Sequence, residues 1–178
     1  VQGQEPISSA YVSQFMEDLG ANLTLTSQPA NATFVVFPPS TTIVVEAESY
    51  DVKQAAGGKS WTIGTAAAGF SAAGYMEELP NSGGGDDADQ LHYDISFPQA
   101  GTWYVWMRAQ SPGGADNSCH ILLNGTRVVD AMGNGNEFLG DTWRWANYRG
   151  GNAANIAQFT VPAAGLHRVS LGHREDGF

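Results

Sequence analysis

Gln90-Leu91-His92-Tyr93-Asp94-Ile95-Ser96-Phe97, followed by the turn Pro98-Gln99-Ala100-Gly101 and by Thr102-Trp103-Tyr104-Val105-Trp106-Met107, decides the fold. Leu91, Tyr93, Ile95 and Phe97 fall at every second position, the period at which strand side chains share a face. A Pro-to-Gly turn then leads into a second apolar run, so the stretch reads as two strands joined by a short connection. Working outward, further runs predict strands at Ile43 to Glu48, Ser60 to Ile63, Gly74 to Leu79, Gly101 to Gln110, Ser118 to Leu123, Thr126 to Asp130, Thr142 to Tyr148, Asn155 to Val161 and Gly165 to His173. Asn124-Gly125 is a hairpin turn signal, and Ala163 to Gly165 marks another turn. About ten short strands at this spacing predict an all-β, jelly-roll β-sandwich over residues 41–178.

Composition agrees. The 178 residues carry 22 Gly, 5 Trp, 6 Tyr and 8 Phe but only 8 Lys+Arg, with a formal net charge of -10. That charge repels phosphate, and no basic stripe is present, so nucleic acid and anionic membranes are poor partners. No apolar run reaches the ~20 residues that a membrane-spanning helix needs. Cys119 is the single cysteine, which precludes an internal disulfide. Asn-x-Ser/Thr sequons at Asn22, Asn31 and Asn124, few lysines and a first residue other than Met together predict an extracellular, glycosylated mature chain.

Residues 1–40 read differently, as an N-terminal extension. Ser9 can cap a short helix over 9–19, with Tyr11, Val12, Phe15, Met16 and Leu19 on one side and Gly20 at its end. Strands near 22–27 and 33–37 follow, and Pro38-Pro39 closes the segment as a linker. At the other end, His173-Arg174-Glu175-Asp176-Gly177-Phe178 is a turn after which a sandwich would normally place one more strand. The jelly roll is therefore expected to lack its last strand, leaving an open edge. Thr33, Phe34, Val35, Val36 and Phe37 are the candidate donor strand to fill it, from another copy.

The sandwich also carries a family's marks. Glu46-Ala47-Glu48-Ser49-Tyr50, Gly74-Tyr75-Met76 ahead of Leu79-Pro80, Gly101 to Arg108, Trp143-Arg144-Trp145, Gly165-Leu166-His167-Arg168-Val169 and the final Arg174 to Phe178 occur in one order. Residues 43–178 thereby resemble the jelly-roll domains of carbohydrate-binding module families 6 and 35. The resemblance implies a structural Ca²⁺ held by Glu46 and Glu48 with an Asp of the last strand, which would follow Phe178. It also implies glycan binding by loops at one end of the sandwich, with Tyr75, Arg108, Asp116, Asn117, Trp145 and Glu175 as contacts. Alternation puts Glu46 and Glu48 on one side of a strand, where two carboxylates suit a hard cation. The acidic run Gly83 to Asp89 is a weaker Ca²⁺ candidate.

Tryptophans at Trp103 and Trp106 fall on opposite sides of their run, so one of them must meet a loop, a partner or a ligand. Trp143 and Trp145 share a side, either as a buried pair or as a stacking platform. Enzyme signatures are missing: His92, His120, His167 and His173 show no metal-ligand spacing, and there is no nucleophile elbow or phosphate-cradling loop. Glu77 and Glu78 are adjacent on a strand and so face opposite ways, which does not suit paired carboxylate chemistry. Two functions remain. One is a non-catalytic extracellular subunit that polymerises head to tail by donating residues 33–37 to the next copy. The other is a calcium-stabilised glycan-binding module of a secreted polysaccharide-degrading enzyme or surface protein, with polysaccharide as its partner.

Overall fold

The computed structural model describes residues 42–81, 88–175 and 177. Nearly all of them lie in a compact unit that begins at Val45. The helix expected at 9–19, the strands near 22–27 and 33–37, the sequons Asn22 and Asn31, and most of the Gly83 to Asp89 run lie outside the described residues.

The strands are β1 (Val52–Gln54), β2 (Ser60–Gly64), β3 (Tyr75–Leu79), β4 (Gln90–Phe97), β5 (Gly101–Tyr104), β6 (Met107–Ser111), β7 (Ser118–Leu123), β8 (Thr126–Gly133), β9 (Gly140–Ala146), β10 (Tyr148–Arg149), β11 (Asn152–Ile156), β12 (Gln158–Val161) and β13 (Gly165–Gly172). No helix occurs among the described residues, and none there is long and apolar enough to cross a membrane.

One antiparallel sheet runs in the order β1-β4-β13-β7-β8-β10-β11. Its spine is β4 against β13, paired without a break from Gly165↔Phe97 to Gly172↔Gln90. The alternation seen in β4 is realised: Leu91, Tyr93 and Phe97 are buried. Three two-stranded ribbons, β2-β3, β6-β9 and β5-β12, accompany this sheet. Each ribbon is tied to the sheet or its entry loop by a side chain. The Trp61 indole N–H on β2 donates to the Asp89 carbonyl at 3.4 Å. Met107 Sδ on β6 lies 3.8 Å from Cys119 Sγ on β7. Phe97 on β4 meets Trp103 on β5 edge-on at 4.9 Å and Phe159 on β12 at 6.1 Å. Apolar faces so interleaved make the all-β jelly-roll sandwich that the sequence predicts.

Three sequence-predicted strands are interrupted, all at one corner. Gly101 to Gln110 divides at Val105-Trp106, Thr142 to Tyr148 at Asn147, and Asn155 to Val161 at Ala157. Val105 N–H donates to the Ala157 carbonyl at 2.9 Å and Ala157 N–H to the Asn147 carbonyl at 2.6 Å, so the three breaks satisfy one another. There β10 and β11 join the large sheet while β9 and β12 stay in the ribbons. A chain that changes partner in mid-run keeps its apolar composition, and so the sequence gives no sign of the change.

The first predicted strand is a correction. Residues 43–48 are not a strand: Ser49 N–H donates to the Glu46 carbonyl at 3.0 Å and closes a turn. Pairing begins later, at β1, on the edge of β4. All three β1 residues are exposed, so β1 has no buried face and no alternation to betray it.

Among the described residues β3 pairs only with β2 and β6 only with β9. A cleft of about 370 Å³ is lined by residues of both β3 and β6, with Trp61 and Leu171 also on its wall. Gly177 reaches this cleft, and its N–H donates to the Glu78 carbonyl of β3 at 2.8 Å.

Candidate functional site

The pairing of β6 with β9 sets the direction of every side chain on this ribbon. Met107 opposes Ala146 and Arg108 opposes Trp145. Ala109 and Ala146 are buried, at 8% and 4% exposure, which makes theirs the core side. Arg108 and Trp145 therefore project outward, and Trp145 is 59% exposed. Trp143, two residues before Trp145, shares its side.

Trp143 is the fixed element of this face. Its indole N–H donates to the Ala68 carbonyl at 2.9 Å. The Arg108 guanidinium stands 5.3 Å from its ring centroid and donates to the Gly69 carbonyl at 2.9 Å. Tyr75 meets the same ring edge-on at 5.5 Å, and Phe70 lies 6.1 Å from Tyr75. Gly69 has φ +91°, and a Cβ there would stand 3.2 Å from Trp143 Cδ1, so glycine lets the loop close over the indole. These contacts fix Tyr75, Arg108 and Trp143 before any ligand arrives. Trp145 is left with its ring largely in solvent, the arrangement that suits stacking.

The six residues expected to contact glycan thus divide. Tyr75, Arg108 and Trp145 come together, joined by Trp143, which the sequence offered only as part of a pair. Asp116, Asn117 and Glu175 form a different group, most of whose polar atoms are engaged, although Asn117 Oδ1 is buried without a hydrogen-bond partner among the described residues. Asn81 donates to Asp116 Oδ1 at 3.0 Å, and Glu175 Oε2 accepts from Asn117 N–H at 3.0 Å and from Ser118 Oγ at 2.6 Å. Arg174 pairs with Glu175. Asp116 and Asn117 are 8% and 4% exposed. This group ties the loop before β7 to the turn after β13, the work of buried polar groups in a fold.

Gln110 lines the cleft between β3 and β6, and its Oε1 is buried without a hydrogen-bond partner among the described residues. Nothing in the sequence distinguishes it.

Glu46 and Glu48 do not share the side of a strand, as noted above, yet their carboxylates converge on one loop. Glu46 Oε2 accepts from Ser71 Oγ at 2.8 Å and Glu48 Oε1 from Ala73 N–H at 3.0 Å. Between them the Ala47 carbonyl accepts from Tyr93 Oη at 2.8 Å, pinning the turn to β4, and burial pushes the Tyr93 phenol well up. The donor set is oxygen alone and each carboxylate is half-buried, which fits a hard cation such as Ca²⁺.

A different trio was missed. Glu78, Asp89 and His173 are 0%, 2% and 2% exposed and bring potential ligand atoms within 4.8 Å of one another. His173 Nε2 lies 3.2 Å from Glu78 Oε2 and Nδ1 lies 3.6 Å from Asp89 Oδ2. The two carboxylates face opposite nitrogens of one ring, so the His173 imidazole bridges Glu78 and Asp89. The parity of β3, which turns Glu78 inward, was the available signal; the partners come from far along the chain. The third sequon, Asn124, stands exposed at the β7–β8 turn with φ +49°, and its Oδ1 accepts from Arg168 N–H at 3.0 Å.

No protein-family model matches the chain. It is 34% identical over 97 residues to uncharacterized protein P23 of Formosa agariphila, a match covering 49% of this chain and 22% of that protein. The chain thus spans only about a fifth of that relative. Among solved structures it is similar to a cycloisomaltooligosaccharide glucanotransferase of Paenibacillus sp. complexed with cycloisomaltoheptaose, with TM-score 0.50 and 14% identity over 75% of this chain and 16% of that one. A family 35 carbohydrate-binding module of Clostridium thermocellum matches with TM-score 0.47 and 18% identity, over 71% of this chain and 88% of that module. The fold is a β-sandwich similar to part of that glucanotransferase.

Proposed function

We propose that this chain is a non-catalytic, extracellular glycan-binding module whose contact surface is the outward face of β6 and β9. The observation that carries the reading is the exposed Trp145 indole beside Arg108, braced by Trp143 and Tyr75. A flat aromatic ring offers its face to the axial C–H groups of a pyranose, and the guanidinium supplies donors to hydroxyl or carboxylate oxygens. Likeness in fold to part of a glucanotransferase supports the same setting. Ca²⁺ at Glu46 and Glu48 would stabilise the turn and the 71–73 loop.

Affinity gel electrophoresis through xylan, mixed-linkage β-glucan, dextran and alginate tests the assignment. One of these polymers should retard the protein, and Trp145→Ala should abolish the retardation while leaving the thermal midpoint in place. Retardation that survives Trp145→Ala would place the sugar elsewhere.

The filament reading keeps one observation in its favour, the cleft lined by residues of both β3 and β6. In that reading residues 33–37 of another copy pair there. The fold comparison favours the binding module over an assembly role, and size-exclusion chromatography separates the two, since a monomer at high concentration rules out the filament.

A further inference from the structure

Resting on the glycan-binding reading, we infer that the site is a track for the interior of a polysaccharide chain, extending from Trp145 across Trp106 to Tyr104, rather than a pocket for a single terminal sugar. Tyr104, Trp106 and Trp145 are 63%, 58% and 59% exposed, three large aromatic rings left in solvent on adjoining ribbons. Single exposed apolar residues are ordinary, but a contiguous set marks a contact surface.

Register shows why the three face one way. On β5, Trp103 pairs with Phe159 and turns inward against Phe97, so Thr102 and Tyr104 turn outward with Gln158 and Thr160. On β6, Ala109 is the buried side and Arg108 the outward one. Trp106 lies midway, where the chain passes between the two ribbons, and its exposure puts it outward as well. Tyr104, Trp106 and Arg108 therefore follow one another at alternate positions of the chain. Trp145 stands beside Arg108 and Trp143 continues the line to Tyr75.

The chemistry of this line selects its ligand. Its exposed apolar members are mainly aromatic rings, with Arg108, Thr102 and Gln158 on the outward sides of the same strands and Ile156, 38% exposed, just before the break at Ala157. A protein partner would be expected to bury a compact apolar centre, whereas a chain of pyranoses presents alternating apolar faces and hydroxyl edges along its length. A row of rings with hydrogen-bonding groups between them matches that periodic surface.

The test measures affinity against ligand length by calorimetry, using oligosaccharides of two and six sugars cut from whichever polymer of the gel panel retards the protein. For the unaltered protein the six-sugar ligand should bind more tightly than the two-sugar ligand. Trp106→Ala and Tyr104→Ala should each weaken the six-sugar ligand about tenfold, the worth of one aromatic contact, and so flatten the length dependence. Trp145→Ala should weaken both ligands. If Trp145→Ala abolishes binding while Trp106→Ala and Tyr104→Ala leave the six-sugar affinity within twofold, the track is overturned and the binding module stands. If no polymer retards the unaltered protein, both fall.

Discussion

Replacing His173 by Phe probes the least accessible part of the molecule. The ring is 2% exposed and stands between Glu78 and Asp89, themselves 0% and 2% exposed. Phenylalanine keeps the volume and removes both ring nitrogens, so the two buried carboxylates lose the partner they share. Breaking a buried ion pair from one side costs about 3–5 kcal/mol, because the remaining charge stays desolvated. Against a total stability of roughly 5–15 kcal/mol this is a large fraction. Urea unfolding followed by tryptophan fluorescence is the assay. With a slope of about 2 kcal/mol/M the midpoint should fall by about 2 M. Adding Glu78→Leu to His173→Phe should recover part of the loss, since an apolar pair of similar volume removes the stranded charge. A midpoint shift below about 0.5 M for His173→Phe alone, equivalent to ~1 kcal/mol on that slope, would refute the ion-paired clamp and leave the cluster as ordinary buried polar packing.

Two further outcomes follow from the electrostatics. His92 is held below its usual imidazole range, chiefly by burial and then by Arg168 beside it. The unfolded chain therefore takes the proton first, and stability should decline as the pH falls through about 6.5, the ordinary histidine value. His92→Gln should flatten that decline between neutral and mildly acid pH, as followed by the thermal midpoint. If Glu46 and Glu48 hold Ca²⁺, chelator should lower the thermal midpoint of the unaltered protein and excess Ca²⁺ should restore it; Glu46→Gln with Glu48→Gln should remove both responses.

The strands of this protein were legible wherever one face is buried and the other wet. β4 shows this best: Leu91, Tyr93 and Phe97 alternate because β4 lies with one side on the core. Ser118–Leu123 was placed at its true bounds for a different reason: it is buried at every position and reads as a short apolar run bounded by turn signals. β1 was missed because all its side chains are exposed, and residues 43–48 were misread because an apolar run looks the same in a strand and in an extended segment that ends in a turn.

At the site, aromatic content and parity identified Trp145 as a platform candidate and singled out Trp106 as one of two rings that cannot both be core. The sequence by itself determined the all-β class, the family likeness and the presence of outward tryptophans, since these rest on period and composition, which are local. Only the tertiary structure decided which residues act together. It joined Tyr75 and Arg108 to Trp143, withdrew Asp116 and Asn117 into a buried network, and brought Glu78, Asp89 and His173 to one point. Such groupings depend on which strands become neighbours, and the pairing of β3, β6 and β9 with their partners is set by packing between residues distant in the chain, where no local pattern records it.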